Sequence, residues 1–349
     1  MISSDTSAYG LTMSDTSGMH GNGVVGGVAD GEGRSRRGML RAAVAGAGAV
    51  AVGGAGAGVA HADGRRRSAP TFVIVHGSSG NSYGYAPLLA ELGLRGHRAV
   101  AVDLPGHGAG AYLPVSYQTQ DLEALKSEPS PLSEVTLTDF VAHVTAVVRR
   151  AHRVGPVVLV GQSMGGATLN RVADEVPELI SHLVYASAYC PTPKHSTLMS
   201  LMMTQEGLTS ALFKIPPVRT VPGLGVNRVN WRSGDPALFA AAKEALAADW
   251  PDAEVRMQLN LMEPDESAAL PTSDASARPE RWGRIPRTYL RFTEDRAIPP
   301  ALQDLMIREA DELTPRNRFR VRSLAATHLG PRDPREFADE LELVARLCR

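Results

Sequence analysis

Cysteine is nearly absent: two residues in a chain of 349, which excludes a disulfide-stapled scaffold. Cys190 and Cys348 make one conceivable bridge. If Cys190 follows a parallel strand and Cys348 ends the last helix, they lie at opposite ends of a sheet, beyond the few ångströms a disulfide spans. Two free thiols are therefore expected. A charge excess is missing too: 36 basic residues against 37 acidic ones leave a net charge of −1, so no nucleic-acid partner is indicated. There is no internal repeat.

The first apolar run lacks Leu, Ile and Phe. Ala42 to Ala60 contains only Ala, Val and Gly, which argues against a retained membrane span although the run is just long enough for one. Before it, Ser35-Arg36-Arg37-Gly38-Met39-Leu40-Arg41 fits a twin-arginine export signal, with Met39 where an aromatic or other apolar residue is usual. After it, Ala60-His61-Ala62 is a small-x-small cleavage site. Residues 1–62 thus read as a cleaved twin-arginine signal peptide, with the export machinery as a partner and a secreted product. The remaining residues suffice for one large α/β domain with an insertion.

From residue 71 onward, short apolar runs alternate with longer amphipathic stretches, the pattern of a mostly parallel sheet covered by helices on both faces. Six strands are expected: Thr71 to His76, Arg98 to Asp103, Val157 to Gly161, Leu183 to Ser187, Arg287 to Phe292 and Phe319 to Ser323. Helices are expected over Ala86 to Leu94, Leu137 to His152, Ala167 to Glu175, Pro300 to Ala310 and Pro334 to Leu347. Two stretches break the rhythm. Residues 108–135 are irregular and long for a connection, hence a functional or a mobile loop. Residues 190–282 far exceed a crossover and read as an inserted helical cap on a core made of 63–189 and 283–349. Within the cap, Leu198, Leu201, Met202, Met203, Leu212 and Phe213 suggest an acyl or alkyl pocket; for most of them ordinary packing is the preferred reading.

Gly161-Gln162-Ser163-Met164-Gly165 matches Gly-x-Ser-x-Gly between an expected strand and an expected helix, the context that makes Ser163 a nucleophile on a sharp turn. The rival is a plain glycine-rich turn. A serine hydroxyl needs a base and an orienting acid, here in the chain order Ser, Asp or Glu, His. Of ten histidines, His328 follows the last strand and precedes the last helix. His76, His97, His107, His152 and His182 come before or with the elbow, against that order, and read as structural or surface residues. Asp295 is the expected acid, since a short side chain suits a tight loop, with Glu294 beside it as the alternate. Asp103 precedes the serine and is assigned to its own loop. An oxyanion hole needs two backbone amides, expected from Met164 and from Ser78 in His76-Gly77-Ser78-Ser79-Gly80. The chemistry calls for no metal or cofactor.

Taken together, "FVIVHGSSG", "VAVDLPGHG", "LVGQSMGGA", "TYLRFTEDRAIPP" and "ATHLGPRDP" resemble the α/β-hydrolase superfamily. "HLVYASAYCP" is similar to small bacterial esterases related to plant methylesterases and hydroxynitrile lyases. The resemblance implies triad roles for Ser163, Asp295 and His328, oxyanion roles for Ser78 and Met164, and hydrolysis of a small-molecule carboxylic ester through an acyl-enzyme. Epoxide hydrolases and haloalkane dehalogenases of this fold carry Asp where Ser163 stands. Hydroxynitrile lyases of this branch carry Lys where Leu329 stands, which speaks against cyanohydrin chemistry. Cofactor-free perhydrolase or haloperoxidase-like activity, lactonase activity, and ligand binding on a hydrolase scaffold remain open alternatives. The natural substrate and the oligomeric state are not set by the sequence.

Overall fold

The computed structural model describes residues 69–348. The signal-peptide, twin-arginine and export readings fall on residues outside that range. Six parallel strands form one sheet in the order β2-β1-β3-β4-β7-β8: β1 Thr71–Val75, β2 Arg98–Val102, β3 Val157–Ser163, β4 His182–Ala188, β7 Arg287–Phe292 and β8 Arg320–Leu324. A separate antiparallel pair joins β5 Val226–Arg228 to β6 Asp265–Ser267. The helices are α1 Ala86–Leu94, α2 Val115–Thr119, α3 Leu137–His152, α4 Gly165–Glu175, α5 Leu198–Met202, α6 Pro236–Leu246, α7 Asp252–Leu261, α8 Pro300–Leu313 and α9 Pro334–Leu347.

The two-residue period of a strand sorts the core into two layers. Phe72 and Ile74 of β1, with Val158 and Val160 of β3, pack against Leu88 and Leu92 of α1 and Phe337 and Leu341 of α9. Val73, Val75, Val157 and Leu159 face the other way, onto Phe140 and Val144 of α3, Leu169 and Val172 of α4, and Leu302 and Met306 of α8. Strands buried on both faces must be apolar throughout, which is why the central runs carry no polar alternation. The edge strand β8 carries Arg320 and Arg322 in an exposed row, as an open edge requires.

Strand order decides where a site can lie. The chain runs from β1 out to β2 on one side and returns to β3 on the other, so the loops after β1 and β3 diverge at the carboxyl edge. Such a switch point leaves a crevice.

Several elements exceed their expected bounds. The third strand continues to Ser163, and α4 begins at Gly165 rather than Ala167, because glycine there lets the helix close against β1: a Cβ at Gly165 would lie 2.6 Å from the Val75 carbonyl oxygen. The eighth helix runs on to Leu313. Between β4 and β7 lie α5, β5, α6, α7 and β6, with a small core of Trp231, Ala242, Leu246, Trp250, Val255 and Leu259.

Residues 108–135 form α2 and short 3-10 turns stitched by carboxylates. Glu128 accepts the amides of Val115 and Ser116, each at 2.8 Å, and the Tyr112 hydroxyl at 3.0 Å. Buried Arg228 donates to the Leu125 and Glu128 carbonyls at 2.6 and 3.0 Å while pairing with Asp265. Both cysteines are free. Among the described residues no helix is long and apolar enough to cross a membrane.

Candidate active site

Ser163 ends β3 with φ of 54°, a left-handed conformation that is costly for a residue with a Cβ and is sustained only by its surroundings. The strain lifts the hydroxyl off the strand's end. Its Oγ lies 3.0 Å from His328 Nε2. On the far side of the ring, His328 Nδ1 is 2.7 Å from Asp295 Oδ2. Asp295 is buried, and its other oxygen accepts the amides of Ala297 and Ile298 at 2.7 and 2.8 Å. Glu294 is exposed. The carboxyl facing the imidazole is thus the shorter of the two neighbours.

Two neighbours that sequence reasoning missed complete the geometry. Ser187, at the end of β4 with φ of 38°, donates its hydroxyl to Asp295 Oδ2 at 2.6 Å. Gln162, buried beside the serine, donates to the His328 carbonyl oxygen at 2.6 Å and accepts the Tyr85 hydroxyl at 2.8 Å. It ties the elbow to the histidine loop. The only cue was a polar residue at a strand end that had to be buried.

The two expected oxyanion donors flank Ser163. Met164 follows it at the start of α4, where the helix dipole favours negative charge. Ser78 lies in the loop after β1, which packs so closely on the elbow that a Cβ at Gly77 would sit 2.6 Å from Ser163 Cβ. Among the described residues, the amides of Ser78 and Met164 donate to no protein acceptor.

Behind the loop stands a buried polar cluster. His76 Nε2 accepts the Leu104 amide at 3.1 Å, so its proton sits on Nδ1 and is donated to the Gly77 carbonyl oxygen at 2.8 Å. Burial, helped by neighbouring His107, pushes the His76 pKa down to about 4, so it stays neutral. For His107, burial opposes the charged form, but the carboxylates of Glu266 and Glu263 outweigh it and raise the pKa. Burial raises that of Glu263. Asp103 accepts the Ser82 amide at 2.7 Å and the Ala109 amide at 3.2 Å, which fastens its own loop to the one after β1.

Ser163 and His328 open onto a cavity of about 630 Å³. Its walls include Ile215, Val229, Trp231, Leu246, Trp250 and Met257. Of the six cap residues that suggest an apolar pocket, for most of which ordinary packing is the preferred reading, only Leu212 lines the cavity. Leu198 and Leu201 are core residues with Met202 packed against them, while Met203 and Phe213 are exposed. No residue of 108–135 lines the cavity. The stretch packs behind the β5–β6 pair instead.

Known proteins share this architecture. The model of the Alpha/beta hydrolase family matches residues 72–340. A pyrethroid hydrolase of Sphingobium wenxiniae is 24% identical over 239 residues, covering 68% of this chain and 75% of that protein. Methylesterase 1 of Arabidopsis thaliana is 29% identical over 245 residues, covering 68% and 82%. The solved pyrethroid hydrolase of Sphingobium faniae superimposes with a TM-score of 0.59 at 23% identity, over 79% of this chain and 97% of that one. The sheet order and the crevice agree with that family match, and the chain belongs to the alpha/beta hydrolase family.

Proposed function

We propose that the protein hydrolyses carboxylic esters through Ser163, His328 and Asp295. The observation that carries this reading is the unbroken line of hydrogen bonds from Ser163 Oγ through the His328 ring to Asp295, at the floor of a cavity. His328 Nε2 takes the hydroxyl proton as Ser163 attacks the ester carbonyl, while Asp295 holds the ring with its proton on Nδ1 and stabilises the imidazolium. The developing oxyanion lies between the amides of Ser78 and Met164. His328 returns the proton to the leaving alcohol, and the acyl group stays on Ser163. Water then attacks the acyl carbon while giving a proton to the same nitrogen, and as the bond to Ser163 Oγ breaks His328 returns that proton to the serine and the acid is released.

The substrate class follows from the walls. Two tryptophans with Ile215, Val229 and Met257 around about 630 Å³ fit an ester with a bulky apolar acyl or alcohol part. The names of a pyrethroid hydrolase and a methylesterase among the relatives support small-molecule esters. Export through the twin-arginine route, with cleavage after Ala62, is part of the same proposal and rests on the sequence of residues 1–62. Replacing Arg36 and Arg37 together by Lys should retain the protein inside the cell, with no mature chain beginning at Asp63 outside it.

The deciding experiment is labelling with a fluorophosphonate, followed by turnover of nitrophenyl esters of increasing chain length. Wild type should label once and hydrolyse the esters, and Ser163→Ala should do neither. Equal labelling of both proteins would sink the mechanism.

A further inference from the structure

The loop that supplies the second oxyanion donor is held by groups far away in sequence. Three successive peptide planes matter. The Gly77–Ser78 plane, which carries the Ser78 amide, is fixed at its carbonyl oxygen by His76 Nδ1 at 2.8 Å and the Gly80 amide at 3.2 Å. The Ser79–Gly80 plane is fixed at its carbonyl oxygen by the Glu263 amide at 2.9 Å. The plane between them is held through the Ser79 amide, which donates to Glu266 Oε2 at 3.2 Å.

Ser79 needs that hold, because its φ is 56°, unfavourable for a residue with a side chain. Glu266 can supply it. Its side chain is 5% exposed, and the same Oε2 lies 3.4 Å from His107 Nε2, while Oε1 accepts the Ser267 amide at 3.3 Å. The residue sits on β6, paired opposite Asn227 of β5, and reaches the cavity wall. A buried carboxylate beside an oxyanion site is electrostatically adverse, so a purely space-filling role would be better served by an apolar side chain. Its geometry instead matches an acceptor for one particular amide.

We propose that Glu266 is a positioning residue for catalysis: by holding the Ser79 amide it fixes the backbone on which the Ser78 amide faces the reacting carbonyl. This rests on the proposed esterase reading and on the oxyanion role of Ser78 within it. It makes the insertion between β4 and β7 a part of the catalytic machinery and not only a wall of the cavity. Glu266 touches no reacting atom; its effect passes through two peptide planes.

The test compares Glu266→Leu, Glu266→Asp and Glu266→Gln on a short nitrophenyl ester. Removing an oxyanion donor outright costs about a hundredfold or more in kcat, and a loosened donor should cost less. Glu266→Leu should therefore lower kcat about tenfold or more with KM little changed. Glu266→Asp, which keeps the charge but withdraws the acceptor by one methylene, should also lose kcat. Glu266→Gln, whose amide oxygen can still accept from Ser79, should stay within about threefold of wild type. A trifluoromethyl ketone, which mimics the tetrahedral adduct, should weaken by the same factor as kcat/KM. Unchanged kcat in both Glu266→Leu and Glu266→Asp, or a change confined to KM, overturns the proposal. So does an equal loss in Glu266→Gln, because charge and not acceptance would then be at stake. Should Glu266→Leu not fold, the Asp and Gln pair decides. The reading of the site fails separately, if wild type hydrolyses no ester or Ser163→Ala still does.

Discussion

Ser187 donates its hydroxyl to the Asp295 oxygen that faces His328, at 2.6 Å against 2.7 Å for the imidazole. One carboxylate oxygen is thus fixed from two directions, with the other oxygen on the Ala297 and Ile298 amides. Replacing Asp295 by Asn should leave the fold intact but present the wrong group to Nδ1, lowering kcat by about four orders of magnitude. Ser187→Ala removes only one of four partners. A hydrogen bond to a charged group contributes about 1.5–3 kcal/mol, so a kcat loss of about tenfold is expected, with a lower melting temperature. Steady-state kinetics on both variants decide it; equal losses would mean that Ser187 does more than steady the carboxylate.

Gly77→Ala is the smallest change that should silence the serine. Its Cβ would lie 2.6 Å from Ser163 Cβ, 3.1 Å from Oγ and 3.3 Å from the Gln162 carbonyl oxygen. Since φ at Gly77 is not positive, the alanine backbone is permitted, and the penalty is one of space: about 1–3 kcal/mol of stability for overpacking. Activity should suffer more than stability, because a displacement of about 1 Å at the nucleophile can cost a hundredfold in rate. Fluorophosphonate labelling rates, set beside the melting temperature, separate the two. A variant that labels at the wild-type rate would show that the elbow can yield.

The meeting of Ser163, His328 and Asp295 is legible in the sequence because each lies at or just beyond the end of a strand, and strands announce themselves by local composition. The ordering of Ser163, Asp295 and His328 along the chain then needs no tertiary knowledge. Ser187 and Gln162 occupy strand ends as well, but their partners are 108 and 166 residues away, and no local pattern encodes such a distance. The cavity wall fails for a related reason. Trp231, Trp250 and Met257 come from a turn, a bend and α7 between β4 and β7, so no periodicity groups them, while the apolar cluster around Leu201 that does look grouped is core. Glu263 and Glu266 read as ordinary acidic residues until the fold lays them against the loop after β1.

Acid should weaken the fold through two buried histidines. Burial lowers the pKa of His76 to about 4, with His107 adding to the effect, and burial with Arg320 nearby does the same for His182. In the unfolded chain both return to 6.5. Between those values the unfolded state binds more protons than the folded state, so stability falls as pH drops from about 6.5 towards 4 and flattens below. A shift of that size amounts to about 3 kcal/mol per histidine. The raised pKa of His107 works in the opposite direction, adding stability below 6.5 and offsetting part of the loss. Urea midpoints at pH 7 and pH 5 should therefore differ, and His182→Gln should reduce the difference. Identical midpoints would contradict the two lowered values.

Arg228 and Asp265 form an ion pair across the β5–β6 strands, and both side chains are almost wholly buried. The pair is bidentate, at 2.5 and 2.7 Å, and Arg228 spends its remaining donor on two carbonyl oxygens of the stretch. Removing one partner of such a pair leaves a buried charge uncompensated and costs about 3–5 kcal/mol, whereas replacing both by apolar groups can be nearly neutral. Arg228→Met should therefore destabilise strongly, and the double variant Arg228→Met with Asp265→Leu should recover only part. The shortfall arises because the Leu125 and Glu128 carbonyls still lose their donor. Hydrogen exchange should then accelerate in residues 115–128 of the double variant, while the amides of α3 keep their protection. Full recovery of stability with unchanged exchange would mean that the stretch holds its shape through Glu128 and its other contacts and does not depend on the arginine.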